Sequence, residues 1–222
     1  MWVMYNYSLM IIDDFFEDPY SVRNSGISHL IDFHGDSITG NKIINDHIDT
    51  HPGFRTKNFV DIDPDLDNYI GDKVSEIIGN NVFIGPIFYL TSSIHECGLI
   101  HNDPSQIAGV IYLNENPPEN SGTVLYDLTQ DHSLERSQYL TDGYKSASTT
   151  QDLSEIEKFN IFKKECNEIH YSADCVVQNK FNRLILYNGR RWHGAHNYFG
   201  STIFDSRLVI AFQGEICDGT RG

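Results

Sequence analysis

Short apolar runs of the kind that form β-strands dominate the second half of the chain. Residues 107–114 form one run, and residues 122–126 form another after a turn-rich stretch that contains two prolines. Residues 182–187 form a third run, and Trp192 and His193 begin a further strand after an Asn-Gly turn. Further strands are predicted at residues 82–84, 87–94 and 208–212. Short strands with turn signals between them predict a mainly β domain containing a small barrel.

The first third of the chain contains the clearest helical pattern. Apolar residues recur at helical spacing across residues 64–78, with Asp63 as N-cap and Gly79 as stop signal. A helix with one apolar stripe normally packs on the outside of a sheet.

Weaker sequence signals predict the secondary structure of several other segments. Residues 10–12 predict an opening strand, and Asp18 with Pro19 predicts the start of a helix that runs to about residue 29. Residues 34–60 are rich in Asn, Asp, Gly and His and predict a long loop. A last helix is predicted over residues 153–166, where Ile156, Phe159 and Phe162 share one face.

Charge argues against nucleic acid as a partner. The chain has 31 acidic and 16 basic side chains and a formal net charge of −15. Such a surface repels phosphate backbones, and nucleic-acid binders normally carry a basic stripe. One local basic cluster, which we interpret as solvated charges and structural arginines, comprises Lys180, Arg183, Arg190 and Arg191.

The remaining composition is that of one soluble domain. The 222 residues can bury a single substantial core. No apolar run approaches the length needed to cross a bilayer, and the N-terminal residues lack the pattern of a secretory signal. The four cysteines form no CxxC pair, which predicts reduced thiols and a cytoplasmic location.

Three residues form a candidate metal site. In an extended segment residues i and i+2 point to the same face, so His101 and Asp103 can reach one metal while Asn102 points away. His193, far along the chain, would complete a set of two imidazoles and one carboxylate. Such a facial triad holds ferrous iron and leaves coordination positions open for substrate and oxygen.

The order and spacing of several motifs resemble those of the Fe(II)/2-oxoglutarate-dependent dioxygenases. The similarity is to the prolyl-hydroxylase-like branch and its viral and bacterial relatives, and it covers roughly the C-terminal two-thirds of the chain. The residues that carry it are His101-x-Asp103, Tyr112-Leu113-Asn114, Gly122-Thr123, Asn182-Arg183-Leu184, His193 and Arg207.

This resemblance implies a mainly β fold with flanking helices. The expected architecture is a double-stranded β-helix (a jelly-roll or cupin-like barrel) supported by N-terminal helices, in one domain over residues 1–222. Residues 1–81 would supply the first strand and the supporting helices, and residues 82–215 the jelly-roll core, with an insertion at about 127–175. The polar segment 127–150 would be either a lid or substrate loop at the active site or a tolerated surface excursion.

The resemblance also assigns roles to site residues. Iron(II) would be held by His101, Asp103 and His193, with 2-oxoglutarate as cosubstrate and ascorbate as an accessory reductant. Arg207 would grip the distal carboxylate of the cosubstrate, because a guanidinium can bind a carboxylate through two parallel hydrogen bonds. The residues expected to assist the arginine are Tyr112 and, as a weaker candidate, Tyr89.

Two details of the pattern bear on these roles. Arg207, Val209 and Ala211 share one face of their strand and are expected to face the pocket. Many relatives carry Ser or Thr where this chain has Val209, which weakens the cosubstrate assignment. His196 lies three residues after His193, and the family pattern favours His193 because it follows the Asn-Arg-Leu strand and turn more closely.

The expected activity is hydroxylation of an unactivated C–H bond of a small molecule or peptide, such as a prolyl or other amino-acid side chain, with release of succinate and carbon dioxide. Related halogenases lack the carboxylate that Asp103 supplies here. Two alternatives stay open: a zinc hydrolase on the same three ligands, and a non-catalytic cupin-like module that binds metal or ligand. Neither a nucleic acid nor a membrane is expected as partner.

Overall fold

Two antiparallel sheets of unequal size form the body of the protein. The computed structural model describes residues 9–35, 38–39, 42–43, 53–96, 98–129 and 153–217. The strands are β1 Leu9–Ile12, β2 Ile38–Thr39, β3 Lys42–Ile43, β4 Phe54–Arg55, β5 Val82–Ile84, β6 Ile87–Thr91, β7 Ile107–Tyr112, β8 Thr123–Leu128, β9 Tyr171–Val177, β10 Leu184–Tyr187, β11 Trp192–Ala195 and β12 Arg207–Ile216. The helices are α1 Pro19–His34, α2 Phe59–Ile62, α3 Pro64–Ile78 and α4 Leu153–His170, with a 3₁₀ turn at Ser93–His95.

The larger sheet has the strand order β1-β10-β7-β12-β6-β4, and β5 pairs with the far end of β12. The smaller sheet has the order β11-β8-β9, and β2 and β3 form a separate hairpin. Every named pairing is antiparallel. Because neighbouring strands in the sheets are distant in sequence, the topology brings the motifs of the second half of the chain together.

The central strand β12 separates two apolar cores. Leu208 and Ile210 pack in the core that the larger sheet shares with α1 and α3, to which Leu30 and Val74 contribute. Val209 points the other way, into the second core between the two sheets. Successive side chains of a strand point to opposite faces, so burial on both sides explains why this strand is a continuous apolar run.

Helix α3 spans the residues that its periodicity predicts. The Asp63 side chain accepts a hydrogen bond from the Leu66 N–H at 3.1 Å, which caps the helix. Gly79 ends it with a φ of 75°, a left-handed conformation in which a side chain is strained. Helix α1 begins at Pro19 as predicted but continues to His34, five residues past the predicted end.

Three segments differ from the sequence prediction. The predicted loop over residues 34–60 contains β4 and the start of α2, because Phe54 and Phe59 are buried anchors for both elements. Strand β9 pairs with β8 in the smaller sheet, so residues 171–177 belong to the barrel and not to the insertion. Helix α4 continues to His170, and most of the candidate lid 127–150 lies outside the described residues, as do the side chains of Ile156, Phe159 and Phe162.

Two asparagines of the sequence motifs fasten the larger sheet to its surroundings. The Asn114 Nδ2 donates to the Ser206 carbonyl at 2.7 Å, and its Oδ1 accepts from the Leu208 N–H at 2.9 Å. Asn182 makes the same pair of bonds with the backbone of Phe16, at 2.9 and 2.8 Å. Buried amide groups need such partners, since an unsatisfied one costs about 1–3 kcal/mol.

The basic cluster noted in the sequence consists largely of ion-paired residues. Arg183 donates from Nε to Asp13 Oδ1 at 2.6 Å, and Lys180 donates to Oδ2 of the same carboxylate at 2.7 Å. Arg191 pairs with Asp174. These contacts bear out the interpretation of the cluster as solvated charges and structural arginines. Within the ranges described above, no helix has both the length and the apolar character needed to cross a bilayer.

Replacing Asp13 with Asn is expected to lower stability in a pH-dependent manner. Hydrogen bonds from Arg183 and Lys180 hold the pKa of Asp13 below its ordinary value. A depressed carboxylate pKa contributes stability above the unfolded-state pKa of about 4, and the contribution is lost as the pH falls through the folded-state value. At pH 7 the variant should lose about 1 kcal/mol, since solvent screens a half-exposed pair.

Urea denaturation at about pH 7 and pH 3 measures this effect, with the difference between Asp13→Asn and the parent narrowing at the lower pH. Glu17→Gln, which removes an exposed carboxylate nearby, is the control. A destabilisation by Asp13→Asn that is equal at both pH values would contradict the ion-pair explanation.

Candidate functional site

A pair of backbone hydrogen bonds joins the two halves of the HxD…H motif. The His101 N–H donates to the His193 carbonyl at 2.9 Å, and the His193 N–H donates to the His101 carbonyl at 2.8 Å. The Asp103 N–H donates to the Gly189 carbonyl at 2.8 Å, so the turn before β11 holds the carboxylate segment as well. Strand β11 is itself anchored to β8, with His193 opposite Leu125.

These contacts bring three metal-binding side chains together. One ligand atom each from His101, Asp103 and His193 can be chosen so that all lie within 4.8 Å of one another. The Nε2 atom of His101 is 3.8 Å from Asp103 Oδ1, and the Nε2 atom of His193 is 3.5 Å from Oδ2. Two imidazole nitrogens and a carboxylate thus surround one point, as a facial triad requires.

Backbone carbonyls orient both imidazoles. The Nδ1 of His101 lies 2.9 Å from the Leu99 carbonyl, and the Nδ1 of His193 lies 2.8 Å from the Arg191 carbonyl. A carbonyl only accepts, so each Nδ1 carries the proton and each Nε2 presents its lone pair to the common point. Outer hydrogen bonds of this kind fix the tautomer of metal-binding histidines.

The electrostatics of the triad suit a bound cation. Burial raises the pKa of Asp103, and the neighbouring His101 opposes this in part. Burial also lowers the pKa of His193 to about 3, with a further decrease from His101. His193 is therefore neutral at physiological pH, the form that binds metal, while a divalent ion would compensate the buried carboxylate.

The neighbouring histidines lie outside this cluster. His196 is half-buried and lies in the turn that follows β11. Its backbone N–H donates to the Gly122 carbonyl at 3.0 Å. His95 is fully buried in the 3₁₀ turn. Among the described residues, the group of potential metal ligands contains His193 and neither of these two.

A cavity of about 510 Å³ extends from the triad between the two sheets. Arg207, Val209 and Ala211 all line it, as the alternation along β12 predicts. Arg207 is only 3% exposed, and its Nε donates to the Ser121 carbonyl at 3.3 Å. Its guanidinium carbon lies 6.0 Å from the ring centre of Tyr198. The arginine is thus held rigidly in the same cavity as the triad.

The two predicted tyrosines occupy different positions. Tyr89 lines the cavity, and burial raises its pKa. Tyr112 is fully buried behind the wall, and its hydroxyl donates to Thr123 Oγ1 at 2.7 Å. That bond uses one acceptor position of the Thr123 hydroxyl, and Thr123 itself lines the cavity. Tyr112 therefore contacts a wall residue and does not line the cavity itself.

The sequence alone did not identify three further polar wall residues, namely Thr123, Tyr198 and Arg55. Thr123 is part of the Gly122-Thr123 motif but had no role assigned to it, and Tyr198 lies in a segment for which no role was predicted. Arg55 fell in a predicted loop, and only its pairing with Tyr89 across β4 and β6 brings it to the cavity. No local sequence signal reports that pairing.

Comparison with known proteins identifies the fold. The family described as "Family of unknown function (DUF6445)" matches residues 93–198, which include all three triad residues. No curated protein matches the sequence. Among solved structures, a prolyl hydroxylase from Trichoplax adhaerens, in complex with a hypoxia inducible factor peptide fragment, aligns with a TM-score of 0.51 at 10% identity, over 94% of this chain and 84% of that one.

Two Streptomyces proteins align equally well. HygX from Streptomyces hygroscopicus, with nickel and 2-oxoglutarate bound, gives a TM-score of 0.51 at 11% identity, over 93% of this chain and 82% of that one. AviO1 from Streptomyces viridochromogenes gives a TM-score of 0.51 at 13% identity, over 93% of this chain and 89% of that one. The fold is that of the Fe(II)/2-oxoglutarate oxygenases. The predicted double-stranded β-helix is therefore confirmed, whereas the activity is a separate question at these identities.

The geometry predicts which histidine binds metal. We expect His101→Ala, Asp103→Ala and His193→Ala each to weaken Co²⁺ binding by about 100-fold or more, because each removes a ligand. His196→Ala should bind Co²⁺ as the parent does, which makes it the matched control. Calorimetric titration of the metal-free protein measures these affinities, with circular dichroism to verify folding. Loss of binding in His196→Ala with retention in His193→Ala would reverse the assignment.

Proposed function

We propose that the protein is an Fe(II)- and 2-oxoglutarate-dependent oxygenase that hydroxylates an unactivated C–H bond. The observation that carries this proposal is the presence of the triad and a buried arginine in one cavity. The fold supports it, since structures of this fold include one with nickel and 2-oxoglutarate bound.

The donor set fits ferrous iron. His101, Asp103 and His193 would hold the ion through two imidazole nitrogens and one carboxylate, and all three residues line the cavity. The His101 side chain is 30% exposed, whereas those of Asp103 and His193 are at most 9% exposed, so the site is most accessible beside His101. When bound, iron supplies the activation of dioxygen that is coupled to oxidative decarboxylation of 2-oxoglutarate.

The rest of the cavity fits a dicarboxylate. Arg207 would bind the distal carboxylate of 2-oxoglutarate, and its burial strengthens that ion pair. Thr123 would donate a second hydrogen bond, with its hydroxyl oriented by Tyr112. The Thr123 hydroxyl would thus replace the hydroxyl of the Ser or Thr that many relatives carry at the position of Val209. The small side chains of Val209 and Ala211 leave room for the aliphatic part of the cosubstrate.

In the proposed reaction, 2-oxoglutarate, dioxygen and the substrate C–H bond give succinate, carbon dioxide and a C–OH group. One oxygen atom enters succinate and the other enters the substrate. The protein residues hold both reactants and exclude water from the buried end of the cavity. An amino-acid side chain, free or within a peptide, is the proposed substrate class, as the Trichoplax relative is complexed with a peptide fragment.

A zinc hydrolase would use the same three ligands but would give no role to Arg207. Non-catalytic binding would retain the arginine without turnover. Because a buried guanidinium is costly without a charged partner, we favour a function that uses Arg207 to bind an anion over a zinc hydrolase. Succinate release distinguishes the oxygenase from non-catalytic binding.

The activity is tested by succinate release. The parent protein with Fe²⁺, 2-oxoglutarate and air should release succinate even without the prime substrate, at a slow uncoupled rate. His101→Ala should reduce this rate by about 100-fold or more, since it removes a ligand, and His196→Ala should not. If Zn²⁺ supports turnover or if neither succinate nor 2-oxoglutarate affinity is found with ferrous iron, the proposal is wrong.

Arg207→Gln should specifically impair the cosubstrate. Its KM for 2-oxoglutarate should rise by about 100-fold, because one buried carboxylate loses its charged, two-point partner. Co²⁺ affinity should be unchanged, since the triad is intact. Arg190→Gln removes an exposed arginine and serves as control. An unaltered KM in Arg207→Gln would exclude the proposed role of this residue.

A further inference from the structure

The charge of the cavity is opposite to that of the protein surface. The chain has a formal net charge of −15, yet the described residues that line the cavity include two arginines, Arg55 and Arg207, and a single carboxylate, Asp103. In the proposed function Asp103 faces a divalent cation. A concave wall with this excess of positive charge attracts anions, whatever the surface charge.

Arg55 is built into this wall by its strand. Phe54 is 1% exposed and packs in the helix-side core, so its neighbour Arg55 points to the opposite face. The Arg55 guanidinium carbon lies 4.8 Å from the ring centre of Tyr89, its cross-strand partner. At Gly53, with a φ of 117°, an added Cβ would lie 2.3 Å from the Leu90 carbonyl, so the chain enters β4 in close contact with β6.

Tyr89 interacts with both arginines of the cavity. Its hydroxyl is hydrogen-bonded to Arg55 and Tyr198 and lies in the field of Arg207. Arg207 is 3% exposed, whereas Arg55 is only half-buried. The cavity therefore has a deep cationic position and a more accessible one. In the proposed function the cosubstrate occupies the deep position, which leaves the accessible one for a second anion.

The lining of the cavity suits an organic acid rather than an inorganic anion. Apolar side chains, among them Ile87, Val110 and Val209, line the cavity together with the two arginines. Such a wall offers apolar contact as well as a charged position.

We propose that the prime substrate carries a free carboxylate that Arg55 binds, with its apolar part against the apolar lining of the cavity and its reactive carbon toward the triad. This inference rests on the proposed function. It narrows the substrate class to an amino acid with a free carboxylate, or to a peptide that presents a carboxylate at its C-terminus or on an acidic side chain.

Pairs of probes that differ only in the carboxylate test this proposal. N-acetylated apolar amino acids and their carboxamides would be titrated calorimetrically into the full chain loaded with Ni²⁺ and 2-oxoglutarate. The acids should bind at least about tenfold more tightly than the amides, and Arg55→Gln should abolish that preference. Arg55→Lys should keep part of it, since it retains the charge but not the two-point geometry.

Lys57→Gln is the matched control, because it removes the same charge from an exposed position two residues away. It should keep the preference for acids. The affinity for 2-oxoglutarate should be unchanged in Arg55→Gln and weakened by about 100-fold in Arg207→Gln.

Equal binding of acids and amides by the parent protein, or no binding of any acid up to about 10 mM, would overturn the proposal. So would a loss of 2-oxoglutarate affinity in Arg55→Gln, which would assign Arg55 to the cosubstrate. If the parent does not bind 2-oxoglutarate, the proposed function itself fails, a result distinct from these.

Discussion

Two backbone hydrogen bonds between His101 and His193 are the constraint on which the candidate site depends. They join segments that are distant in sequence, one before β7 and one in β11, at the edge where the two sheets approach. Each imidazole is then oriented by a carbonyl two residues earlier in its own segment. The ligand geometry is therefore set mainly by the backbone, and side-chain packing has only to exclude water. A site fixed in this way loses little conformational entropy when a metal binds.

The surface and the cavity carry opposite charges. Among the described residues, the acidic side chains are mainly exposed, where solvent screens them, whereas Arg207 is buried in the cavity, where screening is weak. The pair formed by Asp13 with Arg183 and Lys180 shows that other basic residues are used to fasten the fold. Cations thus serve two purposes in this chain, and only burial within the cavity distinguishes those that face a ligand. The net charge of the sequence does not report this difference.

The sequence predicted features that depend on local patterns. Helix α3 was predictable because its cap, its stop and its apolar stripe are all encoded within it. The approach of His101 and Asp103 followed from strand periodicity, and Arg207 from the order of motifs. Arg55 and β9 were missed because their positions depend on pairing with β6 and β8, which are remote in sequence. Strand register is a tertiary property, and a two-residue strand such as β4 carries almost no signal of its own.

The amide of Asn114 binds the peptide groups on both sides of Arg207, at Ser206 and at Leu208. The backbone of Arg207 is therefore held by a residue outside β12, just after the end of β7. Substitution at positions such as Val209 can then alter the shape of the pocket without misdirecting the arginine. Related proteins with this fold can therefore differ in the shape of the pocket, and in the ligands that fit it, while Arg207 keeps its position.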